Sequence, residues 1–162
     1  MGQQGKHLNS IKVSHEKHTA GCATEIMAIP ETVCISMSQH IGAPCKPLVK
    51  KGDQVKVGQL IGDTDAFVSA PIHSSVSGTV KEISTIRSVT GGDDQVVIIE
   101  TDGNQDVYEE IKPPVINDMK DFIAAVRASG LVGLGGASFP THIKLNPKNL
   151  EEVDTLIVNA AE

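Results

Sequence analysis

Two similar half-motifs between residues 41 and 80 constrain the fold of this chain more than any other feature. The first copy reads Ile41-x-Ala43-Pro44-x4-Val49-x2-Gly52-x2-Val55, and the second reads Val68-x-Ala70-Pro71-x4-Val76-x-Gly78-x-Val80. Copies of this kind predict two half-sheets related by an approximate two-fold axis, each covering the apolar face of the other. Chance matching of small residues is the alternative explanation.

Residues 31–103 also consist of short β-branched runs separated by Gly, Pro, Asp and Ser, which is typical of an all-β sandwich or barrel. The runs are Thr32–Ser36, Gln54–Val57, Gly78–Ile83 and Val96–Glu100. Residues 1–30 are polar and show no sustained helical or strand periodicity. We therefore predict an N-terminal arm over residues 1–32 and a β domain over residues 33–103.

The β domain is similar to the barrel-sandwich hybrid of biotinyl and lipoyl carrier domains, on the basis of Lys51–Leu60 and Ser77–Val80. Those carriers hold their cofactor on a lysine at the hairpin tip between the two halves. Here the tip falls near Asp63–Phe67, and no lysine occurs between Lys56 and Lys81. A shared scaffold does not bring its function with it, so we predict a β domain without an attached cofactor.

A linker and a helix are predicted after the β domain. The turn signal Asp102–Gly103 is followed by an acidic stretch and by Pro113–Pro114, which we assign as the linker. Asn117 is a good N-cap residue, which would place Asp118 in the first turn, and Gly130 would cap the other end. The helix is supported by apolar residues at helical spacing and a basic last turn, supplied by Met119, Phe122, Ile123, Val126 and Arg127.

Residues 129–144 form a glycine-rich loop that predicts contact with a phosphate. Side chains would block a close approach by the backbone amides, so glycine is needed where the phosphate lies. Lys144 supplies a cation, and Phe139 is a rigid aromatic able to lie against a planar ring. The glycines concerned are Gly133, Gly135 and Gly136. Taken alone the loop is a weak signal, because glycine turns also pass a chain between packed elements.

The loop does not match the dinucleotide-binding fingerprint. Gly133-x-Gly135-x-x arrives at Ser138, and a helix precedes the loop where a strand is required. Further along, Thr155–Val158 is predicted to be a buried strand, followed by Asn159 and Glu162. Open α/β sheets bind ligands at that end of a strand, and an Asn amide both donates and accepts hydrogen bonds. The alternative is a strand-ending turn followed by a solvated tail.

Composition excludes several classes of function. The net charge of −6 argues against nucleic-acid binding, and one Tyr, three Phe and no Trp leave no stacking surface for several bases. No apolar run approaches the roughly 20 residues that cross a bilayer. We expect a cytoplasmic protein that reaches the inner face of the cell membrane only through a partner.

Three cysteines, Cys22, Cys34 and Cys45, lack paired spacing and are predicted to be reduced thiols. A metal site would have to combine a cysteine with histidines of the first 40 residues, and the spacings match no zinc template. The histidines concerned are His15, His18 and His40. We predict neither a metal site nor a general acid, base or nucleophile.

Five segments together carry a resemblance to the RnfC component of the Rnf electron-transport complex, over roughly residues 33–162. They are Met37–Pro44, Lys51–Asp53, Ser69–Gly78, Gly130–Lys144 and Asn159–Glu162. The Gln39–Cys45 variant and the arm with His15 are similar in particular to the RnfC-like electron-transfer protein associated with proline reductase in amino-acid-fermenting clostridia. The resemblance implies a two-part α+β chain: an all-β barrel-sandwich hybrid, followed over residues 104–162 by the truncated start of an α/β FMN-binding domain.

The loop is also similar to the flavoprotein component of respiratory complex I, which holds FMN and admits NADH. That similarity implies contacts to the FMN phosphate or ribityl chain from Gly133, Gly135, Gly136 and Lys144. It implies that Asn159 and Glu162 approach the flavin and that Phe139 stacks on the dinucleotide. Leu134 and Ala161 replace an Arg and an Asp of the complex I pattern, so the donor is NADH or another low-potential donor.

The resemblance implies an electron-transfer subunit that passes electrons through FMN to [4Fe-4S] clusters and feeds proline reductase or an Rnf complex. Its [4Fe-4S] motifs would follow Glu162, and it leaves open whether the chain stops there by truncation or at a selenocysteine codon. We expect this 162-residue chain by itself to hold no flavin. The alternative is a non-catalytic docking module that exposes the His40 loop and the His73–Ser75 loop to a partner.

Overall fold

A computed structural model of the chain describes residues 16–88, 91–134, 136–155 and 157. Within these residues the fold is mostly β, with two helices and a 3-10 turn near the end (Leu150–Glu152). The strands are β1 (Thr32–Ser36), β2 (Lys46–Pro47), β3 (Gln54–Val55), β4 (Leu60–Asp63), β5 (Ile72–His73), β6 (Gly78–Arg87) and β7 (Asp93–Thr101). The helices are α1 (Met119–Ala128) and α2 (Thr141–Lys144).

The strands form two antiparallel sheets. One has the order β1-β7-β6-β3 and the other the order β2-β4-β5. Apolar side chains from both sheets meet in a single core, because every strand that faces it alternates inward and outward positions. The core residues are Ile35, Met37, Cys45, Val55, Ile61, Ile72, Val76, Val80, Val97 and Ile99. The predicted all-β sandwich is thereby confirmed.

The two copies of the half-motif pair with each other, although not as one sheet per copy. The first copy contributes β2 to one sheet and β3 to the other, and the second contributes β5 and β6 in the same way. The Gly52 amide donates to the Val80 carbonyl at 2.8 Å, and the Val80 amide donates to the Asp53 carbonyl at 2.8 Å. Each copy therefore turns from one sheet into the other, and the matching Val55 and Val80 enter the same core.

The segment after β7 stays on the β domain as far as residue 111. The Val57 amide donates to the Asp106 carbonyl at 2.9 Å, and the Tyr108 amide donates to the Val57 carbonyl at 3.0 Å. The Ile111 side chain covers Gly58 so closely that a Cβ at Gly58 would lie 2.3 Å from it. Residues 112–117, which contain the predicted linker prolines, are exposed and lead into α1.

Helix α1 begins one residue later than the sequence predicted. Asp118, and not Asn117, is the N-cap residue, and its carboxylate accepts from the Asp121 amide at 2.8 Å. Asn117 instead donates from its backbone and side-chain nitrogens to the Asp121 carboxylate. Asp118 takes the cap because its carboxylate reaches the free amide three residues on, as capping requires. At the other end Gly130 has a φ of +72°, as a glycine after a helix C-cap commonly does.

The predicted buried strand at Thr155–Val158 is wrong where it can be checked. Thr155 and Ile157 are described, are not in a strand and are exposed, Ile157 at 85%. The apolar pattern was not enough, because no strand among the described residues lies beside this segment to pair with it. Leu156 and Val158 lie outside the described residues. Within the described part of the chain, no helix has the length and apolar character needed to cross a membrane.

Candidate functional site

The glycine loop folds back on itself as a short closed loop between α1 and α2. Val132 forms an isolated bridge with Pro140. The Gly133 amide donates to the Phe139 carbonyl at 3.0 Å, and the Thr141 amide donates to the Leu131 carbonyl at 3.0 Å. These bonds close the base of the loop and leave residues 134–138 as its tip.

Three of the predicted site residues meet at the base of this loop. The Lys144 ammonium lies 5.9 Å from the centroid of the Phe139 ring. A Cβ built on Gly133 would lie 3.2 Å from the Lys144 Nζ atom and 3.7 Å from the Phe139 amide nitrogen. The missing side chain at Gly133 thus leaves a small space beside a cation and a backbone amide, which is the donor set that a phosphate needs.

The remaining predicted site residues are not part of this cluster. Gly136 lies in the tip of the loop, where a Cβ would meet nothing within 4 Å. Gly135, Asn159 and Glu162 lie outside the described residues, so their assignment to the flavin site stays a prediction. Stacking of the half-buried Phe139 on a dinucleotide also stays a prediction.

The cradle of Gly133, Phe139 and Lys144 fits the phosphate end of FMN. Its floor is free of side-chain atoms at Gly133, and Lys144 is exposed at the end of α2. The φ of Gly133 lies outside the left-handed region, so the glycine is needed for space and not for backbone conformation. Space beside an unencumbered amide is what close approach of an anionic oxygen demands.

The base of the loop rests on the β domain. At Gly130 a Cβ would lie 2.5 Å from the Pro71 carbonyl oxygen and 3.3 Å from the His73 Nδ1 atom. The Ile41 amide donates to the Ala137 carbonyl at 3.1 Å, on the other side of the loop. Between these two contacts lies a cleft of about 120 Å³, which Gln39, Ser129 and other neighbours line.

Helix α1 is tied to the tip of the β4–β5 hairpin by Arg127. Its guanidinium donates to both carboxylate oxygens of Asp63, at 2.8 Å and 3.2 Å, and to the Thr64 carbonyl at 3.0 Å. Burial alone would raise the pKa of Asp63, but hydrogen bonds from Arg127 and from the Thr64 amide, together with the Arg127 charge, lower it below its usual value. Asp63 is therefore an ionised partner for Arg127 at neutral pH. Sequence reasoning missed this pair, because only the helix-dipole role of Arg127 is visible in the sequence.

His40 and Cys45 are structural groups. The His40 Nε2 atom accepts from the Ala70 amide at 3.1 Å, which leaves Nδ1 as the donor to the Ile41 carbonyl at 3.1 Å. The Cys45 thiol donates to the Ala70 carbonyl at 3.2 Å. The prediction of exposed docking loops is therefore wrong for His40, which is buried because its ring joins the 40–45 turn to the strand before β5. It is also wrong for Ser74, which is buried and donates to the Val76 carbonyl.

Cys45 should react with iodoacetamide about a hundredfold more slowly than Cys22 and Cys34 in the folded chain. Cys22 and Cys34 are exposed, whereas Cys45 is buried. Burial raises the pKa of the Cys45 thiol, the Asp63 carboxylate raises it further, and the Arg127 charge offsets part of that effect. Peptide mass spectrometry after timed alkylation measures each rate, and urea-unfolded protein is the control in which the three should react alike. Equal rates in the folded chain would contradict the burial of Cys45.

A second, more apolar groove of about 470 Å³ lies between α1 and α2, with Met119, Ile123 and Ala124 on one side and Asn146 on the other. The Nδ1 atom of His142 is buried there without a hydrogen-bond partner. Burial lowers the pKa of His142, and the nearby Arg127 charge lowers it further. His142 is thus a neutral group in this groove. No set of three or more His, Cys, Asp or Glu side chains within the described ranges is placed to hold a metal ion.

A family model described as the RnfC barrel sandwich hybrid domain matches residues 6–104, which is more than half of the chain. The chain belongs to the RnfC family. A second family model, the Nuo51 FMN-binding domain, matches residues 126–162 of this RnfC-family chain and therefore includes the whole glycine loop. The fold class is confirmed in both parts: a barrel-sandwich hybrid followed by the start of an FMN-binding domain.

Curated relatives support the same family, and each is the C component of a membrane-associated oxidoreductase complex by name. The chain is 45% identical over 151 residues to that of the proton-translocating ferredoxin:NAD(+) oxidoreductase complex of Clostridium ljungdahlii, a match that covers 91% of this chain and 33% of the relative. It is 47% identical over 136 residues to that of the Na(+)-translocating ferredoxin:NAD(+) oxidoreductase complex of Acetobacterium woodii, covering 82% and 31%. That of the ion-translocating oxidoreductase complex of Rhodobacter capsulatus is 35% identical over 154 residues, covering 92% and 30%.

The predicted resemblance to RnfC is confirmed, together with the assignment of this family to electron transport and to oxidoreductase chemistry linked to FMN and NAD. The chain spans about a third of the length of the curated relatives it matches.

Proposed function

We infer that this chain is part of an electron-transfer subunit and that its glycine loop holds the phosphate end of FMN. NADH, or another low-potential donor, would supply electrons, and [4Fe-4S] clusters elsewhere in the full protein would receive them. In this proposal residues 1–32 form an arm, residues 33–103 the barrel-sandwich hybrid, and residues 104–162 the start of the flavin domain. By itself this stretch of the flavin domain holds no FMN, because a tail of that length has too little apolar surface to close the domain core.

The observation that carries the proposal is the cradle of Gly133, Phe139 and Lys144. A backbone amide, a bare Cα and an ammonium group converge there, and a Cβ at Gly133 would fill the space between them. The match of residues 126–162 to the Nuo51 FMN-binding domain supports a flavin nucleotide as the occupant. Gly135, Gly136, Asn159 and Glu162 complete the proposed site.

Bound FMN would connect a two-electron donor to one-electron clusters, which is chemistry that side chains do not supply. The residues of this chain bind and orient. Lys144 balances the phosphate charge, and the Gly133 amide donates to a phosphate oxygen. The Phe139 ring supports the Lys144 stem and limits how far the ammonium moves away. No residue is proposed as a general acid, base or nucleophile.

The other components of an Rnf-type membrane complex are the partners we propose, because the relatives are named as parts of ion-translocating ferredoxin:NAD(+) or related oxidoreductase complexes. Proline reductase, which the Gln39–Cys45 segment implies, is the second acceptor to be tested. Either partner would place the protein in the cytoplasm, and an Rnf-type complex would hold it at the inner face of the membrane.

A fused protein tests the flavin site, with this chain replacing the matching part of the Clostridium ljungdahlii relative. We expect the fused protein to be purified with about one FMN per chain, measured by its visible absorbance and by release of FMN after denaturation. Lys144→Met should weaken FMN binding about tenfold, since one charge-assisted hydrogen bond is lost. The exposed Lys148→Met is the matched control. A folded fused protein that retains iron and takes up no flavin would exclude the proposal.

A further inference from the structure

Three contacts hold the glycine loop to one corner of the β domain, and none of them comes from the apolar core. The first is the Arg127 guanidinium on Asp63 and on the Thr64 carbonyl, at the end of α1 that leads into the loop. The helix has no buried residue, so apolar packing alone does not fix its position. The two partner side chains are 33% and 27% exposed, which shields the ion pair partly from water.

The second contact is made by backbone against backbone. Gly130 follows α1 with a φ of +72° and passes so close to the β domain that a Cβ would lie 2.5 Å from the Pro71 carbonyl oxygen. Any shift of α1 along the hairpin tip would therefore move the first residue of the loop into or away from Pro71. The direction of the chain entering the loop depends on where Arg127 is held.

The third contact lies across the loop, where the Ile41 amide donates to the Ala137 carbonyl at 3.1 Å. Ile41 is itself fixed, because its carbonyl accepts from the His40 ring and that ring accepts from the Ala70 amide. Ala70 precedes Pro71, so the second and third contacts rest on the same short stretch of the β domain. Both sides of the loop are thus referred to one rigid corner.

We propose that the β domain serves as the scaffold of the flavin site and that Arg127, held by Asp63, is a positioning residue for the glycine loop. The step to a flavin site rests on the function proposed above, whereas the anchoring itself does not. Two internal hydrogen bonds, from the Gly133 and Thr141 amides, close the loop. With Arg127 held, these amides keep their direction before a phosphate arrives, and the loop loses less conformational entropy on binding.

The test measures amide hydrogen exchange in the 162-residue chain without any ligand. Asp63→Asn removes the charge at the tip and keeps the helix-dipole contribution of Arg127. Arg127→Gln removes the guanidinium. Both variants should speed exchange of the Gly133, Thr141 and Ile41 amides about tenfold and leave the β6–β7 ladder unchanged.

A charge-swapped pair separates positioning from general destabilisation. Asp63→Arg combined with Arg127→Asp should restore most of the protection that either single change removes. Arg87→Gln is the matched control, because Arg87 forms an exposed ion pair with Asp93 at 3.7 Å, far from the loop. Protection of the β6–β7 amides shows in each variant that the β domain is folded.

Unchanged exchange at the loop amides in both single variants, with the β domain folded, would overturn the proposal, and so would a swapped pair as unprotected as the singles. In the fused protein, Arg127→Gln should also lower FMN affinity about tenfold. If the wild-type fused protein binds no FMN, the flavin assignment fails while the exchange result still judges the anchor. If FMN binds equally to wild type and Arg127→Gln, the anchor has no role in the site.

Discussion

Replacing Gly133 by valine should lower the affinity of the fused protein for FMN by about a hundredfold and leave its β domain folded. The first carbon of the new side chain would lie 3.2 Å from the Lys144 Nζ atom and 3.7 Å from the Phe139 amide. It would occupy the space proposed for a phosphate oxygen and push the ammonium aside. Loss of contacts to both donors costs about 3 kcal/mol, which corresponds to that change in affinity.

The fold should tolerate this change, because Gly133 does not need a left-handed backbone and the closest atom is the end of a flexible lysine. Quenching of FMN fluorescence in a titration measures the affinity, and circular dichroism checks the fold. Gly92→Val is the matched control, since a Cβ at Gly92 meets nothing within 4 Å and its φ is not positive. Equal FMN affinity of Gly133→Val and wild type would remove Gly133 from the site.

Replacing Gly78 by alanine should destabilise the chain by about 3 kcal/mol or more, the largest stability effect we expect from the removal of a glycine. Gly78 opens β6 with a φ of +156°, which L-residues rarely adopt. Its Cβ would lie 2.1 Å from the Glu100 carbonyl oxygen and 2.9 Å from the Thr101 Cα atom. Both neighbours are backbone atoms of the paired strand β7, so the clash can be relieved only by opening the sheet.

The equivalent glycine of the other half-motif supplies the comparison. Gly52 also has a positive φ, +91°, but a Cβ there meets nothing within 4 Å. Gly52→Ala should therefore cost only the backbone strain, about 1 kcal/mol. Urea unfolding followed by circular dichroism gives both free energies of unfolding, with Gly92→Ala as the control for a glycine without strain or crowding. Similar losses for Gly52→Ala and Gly78→Ala would show that the cross-strand contact is relaxed in solution.

Several features of the site could be predicted because they depend on residues close together in the chain. Gly133, Phe139 and Lys144 lie within one loop and the short helix after it, and the structure brings them together as the sequence predicts. The helix over residues 119–128 follows from its apolar spacing and its capping residues. Its first residue was misplaced by one position, because Asn117 and Asp118 are both good caps and only the hydrogen bond to Asp121 distinguishes them.

Residues far apart in the chain decided the rest. No local pattern predicts that Arg127 meets Asp63, since that contact depends on where α1 lies against the β4–β5 hairpin. His40 had the composition of an exposed loop, yet it is buried because Ala70 offers its amide across the domain. The half-motif indicated two related halves but not that each copy would cross between the sheets, which strand pairing decides.

From its sequence alone, this chain is a barrel-sandwich hybrid followed by a glycine loop with a cation, because turn residues, alternation and glycine spacing act over a few residues. The tertiary structure alone decided that the loop rests on the β domain through Asp63, Pro71 and Ile41. Contacts of that kind join segments whose separation along the chain carries no signal, and they form only once the two sheets have packed.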